Sequence, residues 1–556
     1  MFPSLKRFLA KFHAYGSCGL DFCFTLLCLR YIVTSIYEAQ SLLAPTLILI
    51  GVNFGLAFWR PRATLLVFTL ATPLLSGLNL NQLLVSASPL FLSFSAISTG
   101  IISNRYITLV FKPKKSRSLD YHEPSVLKWI MVTVDILIMT VIASTTISLW
   151  PKLNDSIFWT AITRNSGFGF SDRYYALQSC FIWLQGFFFF KLIINESYKK
   201  QNNNLDKPCL SVKESQNINI EKNESLNTKY YHNNLRHMVL LQTSYAIFLI
   251  QFGLIQYLTK FPKPEPYQGD QISSPFEDIH SLGSIASAIW IMILAKNASR
   301  KKQTYIIRLL AIISIAIIIT LSYSRITWLA SILGVLTLTI LSKNKKKWVT
   351  LMAMFSIIFW LSNAAKNEAN ASAENSYVIR LYSLIKPESL SNKSAERIEI
   401  YYRAFSMLKT HPIIGHGAGS FYLNSSKFSI EGDYRQLLPN MHISYFTHLK
   451  AQPNFAHNFI LQFAAELGIP ATLLFCSLIG AALYKGFRHT RAALKEKNGD
   501  RVPLALFLAL TTYLITQMTA NSLNIYVSHQ FLFWFLIAAL LTLPDSKTKN
   551  IPNAIG

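Results

Sequence analysis

Two arginines and one histidine have the side-chain chemistry to hold an anion and to take up a proton. Arg325 lies in the segment LSYSRITW, Arg397 in ERIEIYYR and His457 in PNFAHNFI. A guanidinium group holds phosphate oxygens through paired, charge-assisted hydrogen bonds, and an imidazole is suited to act as a base near neutral pH. If the fold gathers the three side chains, they predict a phosphate-binding site with a general base.

Each of these residues also has an ordinary structural explanation. Arg325, in a tight turn between two apolar segments, can simply extend to water or to lipid headgroups. Arg397 shares a mixed-charge helix face with Glu396, Glu399 and Arg403, and such faces are usually just solvated. A histidine at the rim of a membrane often has no more than a hydrogen-bonding role. The functional interpretation therefore depends on the three residues lying together.

Glu466, Asn458 and Arg403 are candidate supporting residues. Glu466 lies within an apolar segment, where an ionisable side chain is costly and is a functional or pairing candidate by default. It follows His457 by about 2.5 helical turns, which places the two on opposite faces of a helix, so a helix-packing role explains Glu466 equally well. Arg403 lies roughly 120° around a helix from Arg397, so both cannot contact one small group without a bend.

Other polar patterns carry less information. Asp135 and Arg30 lie within apolar segments, where pairing across helices is the simplest explanation. The GHGAG turn at 415–419 lacks the strand-then-helix context of a phosphate-binding loop. Six cysteines form no C-x-x-C pair, and the histidines outside the candidate site lack metal-ligand spacing: His411, His416, His442 and His448. Neither a metal nor a cofactor is expected.

The elements that must position these residues are predicted to be membrane helices. The chain is 51% hydrophobic and only 14% charged, against roughly 25% charged residues in soluble proteins. That composition excludes an ordinary cytosolic enzyme and any disordered or fibrous protein. Several apolar runs approach or exceed the ~20 residues that a spanning helix needs. The predicted spans are 19–37, 41–58, 62–80, 84–102, 127–150, 177–196, 237–258, 280–296, 304–323, 326–341, 348–362, 457–484, 503–522 and 527–543.

The distribution of Lys and Arg orients the spans. The formal charge is +26, and most of the basic residues fall in alternate loops, among them 343–347 and 485–501. This is the pattern of cytoplasmic loops, so both termini are predicted to be cytoplasmic. The same distribution argues against nucleic acid as the partner. The predicted fold class is therefore all-α, a polytopic membrane helix bundle with about 12–14 transmembrane helices and one large, partly helical outer loop.

Composition divides the chain into five parts. Residues 1–196 hold the N-terminal transmembrane helices, 197–236 a polar cytoplasmic linker, and 237–362 the central transmembrane helices with the Ser/Arg turn. Residues 363–456 form the outer loop, and 457–556 the C-terminal transmembrane helices with a short cytoplasmic tail. The outer loop contains an amphipathic helical pattern that ends at His411-Pro412, with apolar residues at helical spacing: Ile398, Tyr401, Tyr402, Phe405 and Leu408.

Three segments resemble the O-antigen ligase and polymerase superfamily. HNFILQFAAELG at 457–468 is similar to the family signature of His-Asn, apolar residues, Leu-Gln and Glu-x-Gly. Segment 396–421, with Arg397, Pro412 and GHGAG, looks like its loop helix, and Ser322 to Arg325 like its Ser/Arg turn. The resemblance covers about 320–470. Tyr401 replaces the usual Trp, Glu396 stands where Gly is common, and 524–531 lacks the His-Pro-Leu segment of the superfamily's protein O-oligosaccharyltransferases.

The resemblance implies a metal-independent glycosyltransferase of lipopolysaccharide biosynthesis in the bacterial inner membrane, with its site facing the periplasm. The donor would be an undecaprenyl-diphosphate-linked glycan and the acceptor a glycan or glycolipid hydroxyl, with membrane lipids as the surroundings. Arg325 and Arg397 would bind the diphosphate, and His457 would accept or orient the acceptor hydroxyl. An O-antigen ligase acting on lipid A core is favoured. The alternatives are a polysaccharide polymerase, a protein O-oligosaccharyltransferase or, in another class, a lipid-linked oligosaccharide flippase.

Overall fold

The structure, a computed structural model, describes parts of 20–33 together with 43–61, 63–65, 67–68, 89–111, 125–149, 175–205, 279–295, 302–322, 324–341, 387–429, 455–495, 501–525 and 527–543. Across these ranges every regular element is a helix, which confirms the all-α class. The predicted spans 237–258 and 348–362 and most of 62–80 lie outside the described residues.

The helices follow the apolar segments of the sequence. They are α1 Leu43–Trp59, α2 Pro89–Phe111, α3 Ser125–Leu149, α4 Tyr175–Leu205, α5 Ile279–Ala295, α6 Lys302–Leu321, α7 Arg325–Leu341, α8 Pro387–Thr410, α9 Ser420–Asn424, α10 Phe459–Lys495, α11 Val502–Gln517, α12 Ser522–Ile525 and α13 Val527–Leu541. The predicted span 503–522 is shorter than expected, because α11 ends at Gln517 and α12 begins a separate short helix at Ser522.

Small residues and aromatic rings bring these helices close together. Phe94 of α2 lies 4.9 Å, between ring centroids, from Phe531 of α13. Side chains added at Gly186 in α4 would lie within 2.6 Å of the Trp534 ring in α13. Gly334 of α7 lets that helix approach Ile291 of α5 in the same way. Close packing of this kind is typical of helices that associate without a hydrophobic driving force between them.

Two helices among the described residues are long and apolar enough to cross a membrane, Lys128–Ile147 and Phe459–Lys495. The other apolar helices are shorter, and the full number of spans stays a prediction. Large apolar side chains are exposed on several helices, including Trp59, Ile340 and Leu473. Exposed apolar surface of this extent is unusual for a monomeric soluble protein.

A buried ion group joins three N-terminal segments. The Lys191 ammonium of α4 lies 2.7 Å from a carboxylate oxygen of Asp21 and 2.9 Å from one of Asp135 in α3. Lys191 and Asp135 are both buried, and buried charges are tolerated only when they are paired. Asp135 thus pairs across helices as predicted, but with Lys191. The expected partner, Arg30, lies outside the described residues.

Candidate functional site

His457 lies at the junction where the chain enters α10. Its backbone adopts a φ of 49°, a left-handed conformation that is uncommon outside glycine and is found most often at turns and functional sites. The next residue, Asn458, caps the helix, because its Oδ1 accepts the backbone N–H groups of Ile460 and Leu461, each at 3.1 Å. This is the usual N-cap arrangement. Asn458 therefore fixes the start of α10, and the half-exposed His457 precedes it directly.

Arg397 of α8 reaches this junction. One guanidinium nitrogen, Nη1, donates to the backbone carbonyl of His457 at 3.3 Å and to that of Thr519 at 3.1 Å. The side chain therefore spans from the start of α10 to the turn that follows α11. Because only one nitrogen is used in these two contacts and Arg397 is partly exposed, the guanidinium retains further N–H groups with which to bind an anion.

Arg325 is the half-buried first residue of α7. Its turn is held internally, since Thr327 Oγ1 donates to Ser324 Oγ at 2.9 Å. The turn rests on Gly283 near the start of α5, where an added side chain would lie 2.6 Å from Thr327 Oγ1. The predicted Ser/Arg turn is therefore set by small residues on both sides.

The same end of α5 contacts the segment that Arg397 reaches. Ser281 Oγ donates to Ser522 Oγ at 2.8 Å, and Ser522 follows Thr519 by three residues. The start of α5 thus adjoins both the Ser/Arg turn and the turn after α11. These contacts place the Arg325, Arg397 and His457 segments at one end of the bundle.

Buried side-chain amides form a chain of hydrogen bonds next to His457, where the loop enters α10. Gln462 donates through Nε2 to Glu466 Oε1 at 2.9 Å, and its Oε1 accepts the Ala456 backbone N–H at 3.2 Å. Asn521 donates to the same Gln462 oxygen, and Asn524 donates to Asn521 at 2.9 Å. These hydrogen bonds connect the segments before and after His457 in one network.

Glu466 also accepts a hydrogen bond from the backbone of α9, which directly follows the glycine-rich loop. Its Oε1 lies 3.4 Å from the backbone nitrogen of Phe421 in α9. These contacts tie Glu466 to Gln462 and to α9, which favours the helix-packing role over a dyad with His457.

A proline in α10 explains why the GHGAG loop docks there. In a continuous helix the carbonyl of Glu466 would accept the N–H of residue 470, but Pro470 has none. Gly417 N–H donates to that carbonyl instead, at 2.8 Å. The neighbouring helical bond is also replaced, because Ile469 N–H donates to Pro412 at 2.8 Å. The loop amides are therefore used to pair with α10, as expected for a turn that is not a phosphate cradle.

Ser144 fastens this pairing to the N-terminal helices. Its hydroxyl lies 2.7 Å from the carbonyl oxygen of Ile414 and 3.1 Å from that of Glu466. Ser144 belongs to α3, so its hydroxyl links the N-terminal helices to the place where the loop and α10 meet. The sequence carries no signal for this residue.

Gly468 makes the close approach of loop and helix sterically feasible. Its φ is 82° and its ψ 172°, a backbone region open essentially to glycine alone. A Cβ at this position would collide with the Ile413 carbonyl oxygen. Gly468 therefore marks a kink within α10 where the backbone of the loop replaces that of the helix.

Replacing Gly468 by alanine is expected to destabilise the protein. The unfavourable backbone conformation alone costs roughly 1–2 kcal/mol, and the collision with Ile413 adds to that. Thermal unfolding of the purified protein in detergent should therefore shift to lower temperature. Gly480→Ala in the same helix is the control, since an added Cβ there meets nothing within 4 Å. Equal melting temperatures for the two variants would contradict the assigned role of Gly468.

The buried face of α8 differs from the one that the sequence predicts. Glu399 and Arg403 are each 1% exposed and form an ion pair at 2.8 Å, and Ser429 donates to Glu399 at 2.7 Å. The interpretation of these charges as a solvated face is therefore wrong. Conversely, three residues of the apolar stripe, Ile398, Tyr402 and Phe405, are exposed.

His416 forms a hydrogen bond with the last turn of α8. Its Nε2 lies 3.0 Å from the carbonyl oxygen of Met407 in the last turn of the helix. Partial burial lowers the pKa of His416, the hydrogen bond to Met407 raises it, and the adjacent His411 lowers it again. The net shift is downward, which keeps the ring neutral at physiological pH, so His416 serves to hold the turn.

The structure brings Arg397 and His457 into direct contact through the His457 backbone. Arg403 points away from Arg397 into the core, as its 120° displacement predicts. Asn458 caps the start of α10, and Glu466 joins α10 to α9. Residues that the sequence did not single out are Gln462, Asn521 and Ser144. Of these only Gln462 had a signal, since it stands in the Leu-Gln pair of the family signature.

Comparison with known proteins agrees with this geometry. Residues 309–476 match the family model described as O-antigen ligase, under a third of the chain but one that includes Arg325, Arg397 and His457. No curated protein matches the chain. Members of the family are glycosyltransferase-like enzymes, and the family together with the apolar helices indicates a membrane protein that acts on lipid-linked glycans. The segment 309–476, which carries all three motifs, therefore belongs to the O-antigen ligase superfamily.

Proposed function

We propose that the protein transfers a glycan from undecaprenyl diphosphate to an acceptor hydroxyl at the periplasmic face of the bacterial inner membrane. The observation that carries the proposal is the contact of Arg397 with the His457 backbone, which sets a guanidinium beside an imidazole-bearing residue. A cation for the leaving group and a base for the nucleophile are the two groups that this reaction needs.

In the proposed reaction the acceptor oxygen forms a bond to the anomeric carbon of the donor sugar. The bond between that carbon and the diphosphate oxygen breaks, and its electron pair leaves with undecaprenyl diphosphate. His457 takes up the proton of the acceptor hydroxyl. Arg397 and Arg325 stabilise the negative charge that develops on the diphosphate, and in this role they take the place of a divalent cation.

The position of the site supports a lipid-linked donor. Arg397, His457 and the Ser/Arg turn lie where apolar helices end, so a diphosphate at the headgroup level could meet them while its polyprenyl chain stays among the helices. The distribution of basic residues in the sequence supports an orientation with this end of the bundle outside the cytoplasm. Asn458 and Glu466 contribute indirectly, by holding α10 and its loop in register.

Transfer by the purified protein tests the proposal. We expect the protein in detergent, supplied with an undecaprenyl-diphosphate-linked glycan and an acceptor glycolipid, to yield a glycosylated acceptor visible as a shift in gel mobility. A flippase has no reaction to perform under these conditions. Absence of product, together with movement of the donor across the membrane of reconstituted vesicles, would contradict glycan transfer and would identify the protein as a transporter.

The acceptor is proposed to be lipid A core, which makes the protein an O-antigen ligase. A polysaccharide polymerase would use another lipid-linked repeat, and a protein O-oligosaccharyltransferase would use a protein hydroxyl. Deleting the gene separates them. Unattached polymer with unmodified core is expected for a ligase, whereas core bearing a single repeat would identify a polymerase, and loss of glycan from a protein would identify an oligosaccharyltransferase.

A further inference from the structure

Helix α8 carries large apolar side chains on both of its faces. Its buried face carries Ile400, Ala404 and Met407 beside the Glu399–Arg403 ion pair. Its outward face carries Ile398, Tyr402 and Phe405, which are 47%, 43% and 52% exposed. A helix that lies between a protein core and water carries polar residues on its outer face. The apolar row on the outer face of α8 therefore indicates that the medium outside this row is itself apolar.

The exposed side chains form one narrow row. At 100° per residue, Ile398, Tyr402 and Phe405 fall within an arc of about 60°. Lys409, at the end of the helix, lies on the same line, and its ammonium is 5.0 Å from the centroid of the Phe405 ring. An aromatic and aliphatic row that ends in an exposed cation is the composition of a helix in the membrane interface.

The row continues onto a helix that is long enough to span a membrane. After α8 the chain turns through Ile413, which is 71% exposed, and Ile414, which is 43% exposed. This turn is bonded to α10, since Pro412 accepts the Ile469 N–H at 2.8 Å. Ile469 and Leu473 of α10 are exposed as well. The exposed apolar side chains of α10 and those of the turn after α8 therefore belong to two segments that are hydrogen-bonded to each other.

We propose that the outward face of α8 and the turn at Ile413 insert into the interfacial layer of a phospholipid bilayer. Continuity with the exposed face of α10 points to lipid as the occupant, because that helix is long and apolar enough to cross a membrane. Lys409 complements the phosphate groups of the headgroups, while its stem packs along Phe405. The loop helix therefore lies on the membrane rather than above it.

This placement has a geometric consequence for Arg397. Ile398 is its neighbour in the chain, so with Ile398 in the interface the backbone of Arg397 lies at the same depth, and its side chain reaches the start of α10 from there. The inference itself does not depend on the transfer reaction, because it rests on exposure and packing alone.

Depth-dependent quenching tests the insertion directly. The full chain, with its six cysteines replaced by serine, receives a single cysteine by Phe405→Cys, Ile413→Cys or Lys427→Cys. Each variant is labelled with an environment-sensitive fluorophore and reconstituted in vesicles of phosphatidylcholine and phosphatidylglycerol. Lys427 is the control because it is an exposed polar residue of the same loop. If the serine background does not fold, a fluorescent amino acid is incorporated at the three positions in the native chain.

Labels at 405 and 413 should be quenched by a nitroxide carried near the headgroup end of a lipid chain. Aqueous iodide should quench these two labels several-fold less than it quenches the label at 427. Equal iodide quenching at all three positions would overturn the proposal, because the row would then face water. Protection of 405 and 413 from both quenchers would also overturn it, since that result means a protein surface covers the helix.

Discussion

Replacing His457 by alanine is expected to lower the rate of glycan transfer by about 10²- to 10⁴-fold, the range that general base catalysis contributes. Arg397 donates to the His457 carbonyl, so removal of the imidazole does not take away the acceptor of that hydrogen bond. The measurement is the initial rate of acceptor glycosylation by purified protein, with membrane insertion confirmed for the variant.

The backbone of His457 requires a second variant. Alanine tolerates a φ of 49° poorly, whereas asparagine adopts the left-handed region readily. His457→Asn therefore keeps the local conformation while it removes the base, and it should be as inactive as the alanine variant. An asparagine variant of near-normal activity would show that the backbone conformation, and not proton transfer, is what His457 supplies.

His489→Ala is the matched control. His489 lies on the same helix, roughly 45 Å along α10 from His457, so losing it should leave the transfer rate unchanged. A comparable loss in both variants would point to a general effect on α10. The prediction for His457 therefore stands only if the two histidines differ.

The sequence predicted the helical class and the clustering of the motif segments, because both depend on features that hydropathy and motif order carry. Apolar runs led to the bounds of helices such as α7 and α13 within a few residues. The three motifs occur in the family's order, and this order implies one site. The contact between Arg397 and the His457 backbone agrees with that implication.

The docking of loop on helix could not be predicted. Pro470 and Gly468 are visible in the sequence, and they predict a kink. Which backbone then accepts the freed hydrogen bonds depends on a contact between residues about fifty positions apart, such as Gly417 with Glu466. The Pro-x-x-Gly-x-Gly and Glu-x-Gly patterns are two halves of that contact, which neither pattern reveals by itself.

The orientation of α8 could not be predicted either, for a different reason. Helical periodicity identifies two faces but not the medium that each face meets. Because a mixed-charge helix face is usually solvated, the sequence alone predicts that Glu399 and Arg403 are exposed. Burial of that pair depends on Ser429 and on the surrounding core, which bring partners from other parts of the chain.

Arg397→Lys should lower transfer by about 10- to 100-fold although the charge is retained. The guanidinium has donors in several directions, and it bridges the carbonyl oxygens of His457 and Thr519 while keeping other N–H groups for the substrate. A lysine ammonium is compact and offers no planar fork. Losing one charged hydrogen bond costs roughly 1.5–3 kcal/mol, and each 1.4 kcal/mol is about tenfold in rate.

Binding of the leaving group separates an anion site from a structural bridge. If Arg397 holds the diphosphate, the lysine variant should also be inhibited less by added undecaprenyl diphosphate, and its melting temperature should stay close to that of the native protein. If Arg397 only joins α8 to the turn after α11, the melting temperature should fall while the inhibition is unchanged. Arg488→Lys, at an exposed position near the far end of α10, should change neither quantity. The two roles of Arg397 affect different measured quantities. Inhibition and melting temperature together therefore assign its role even when the lysine variant keeps part of its activity.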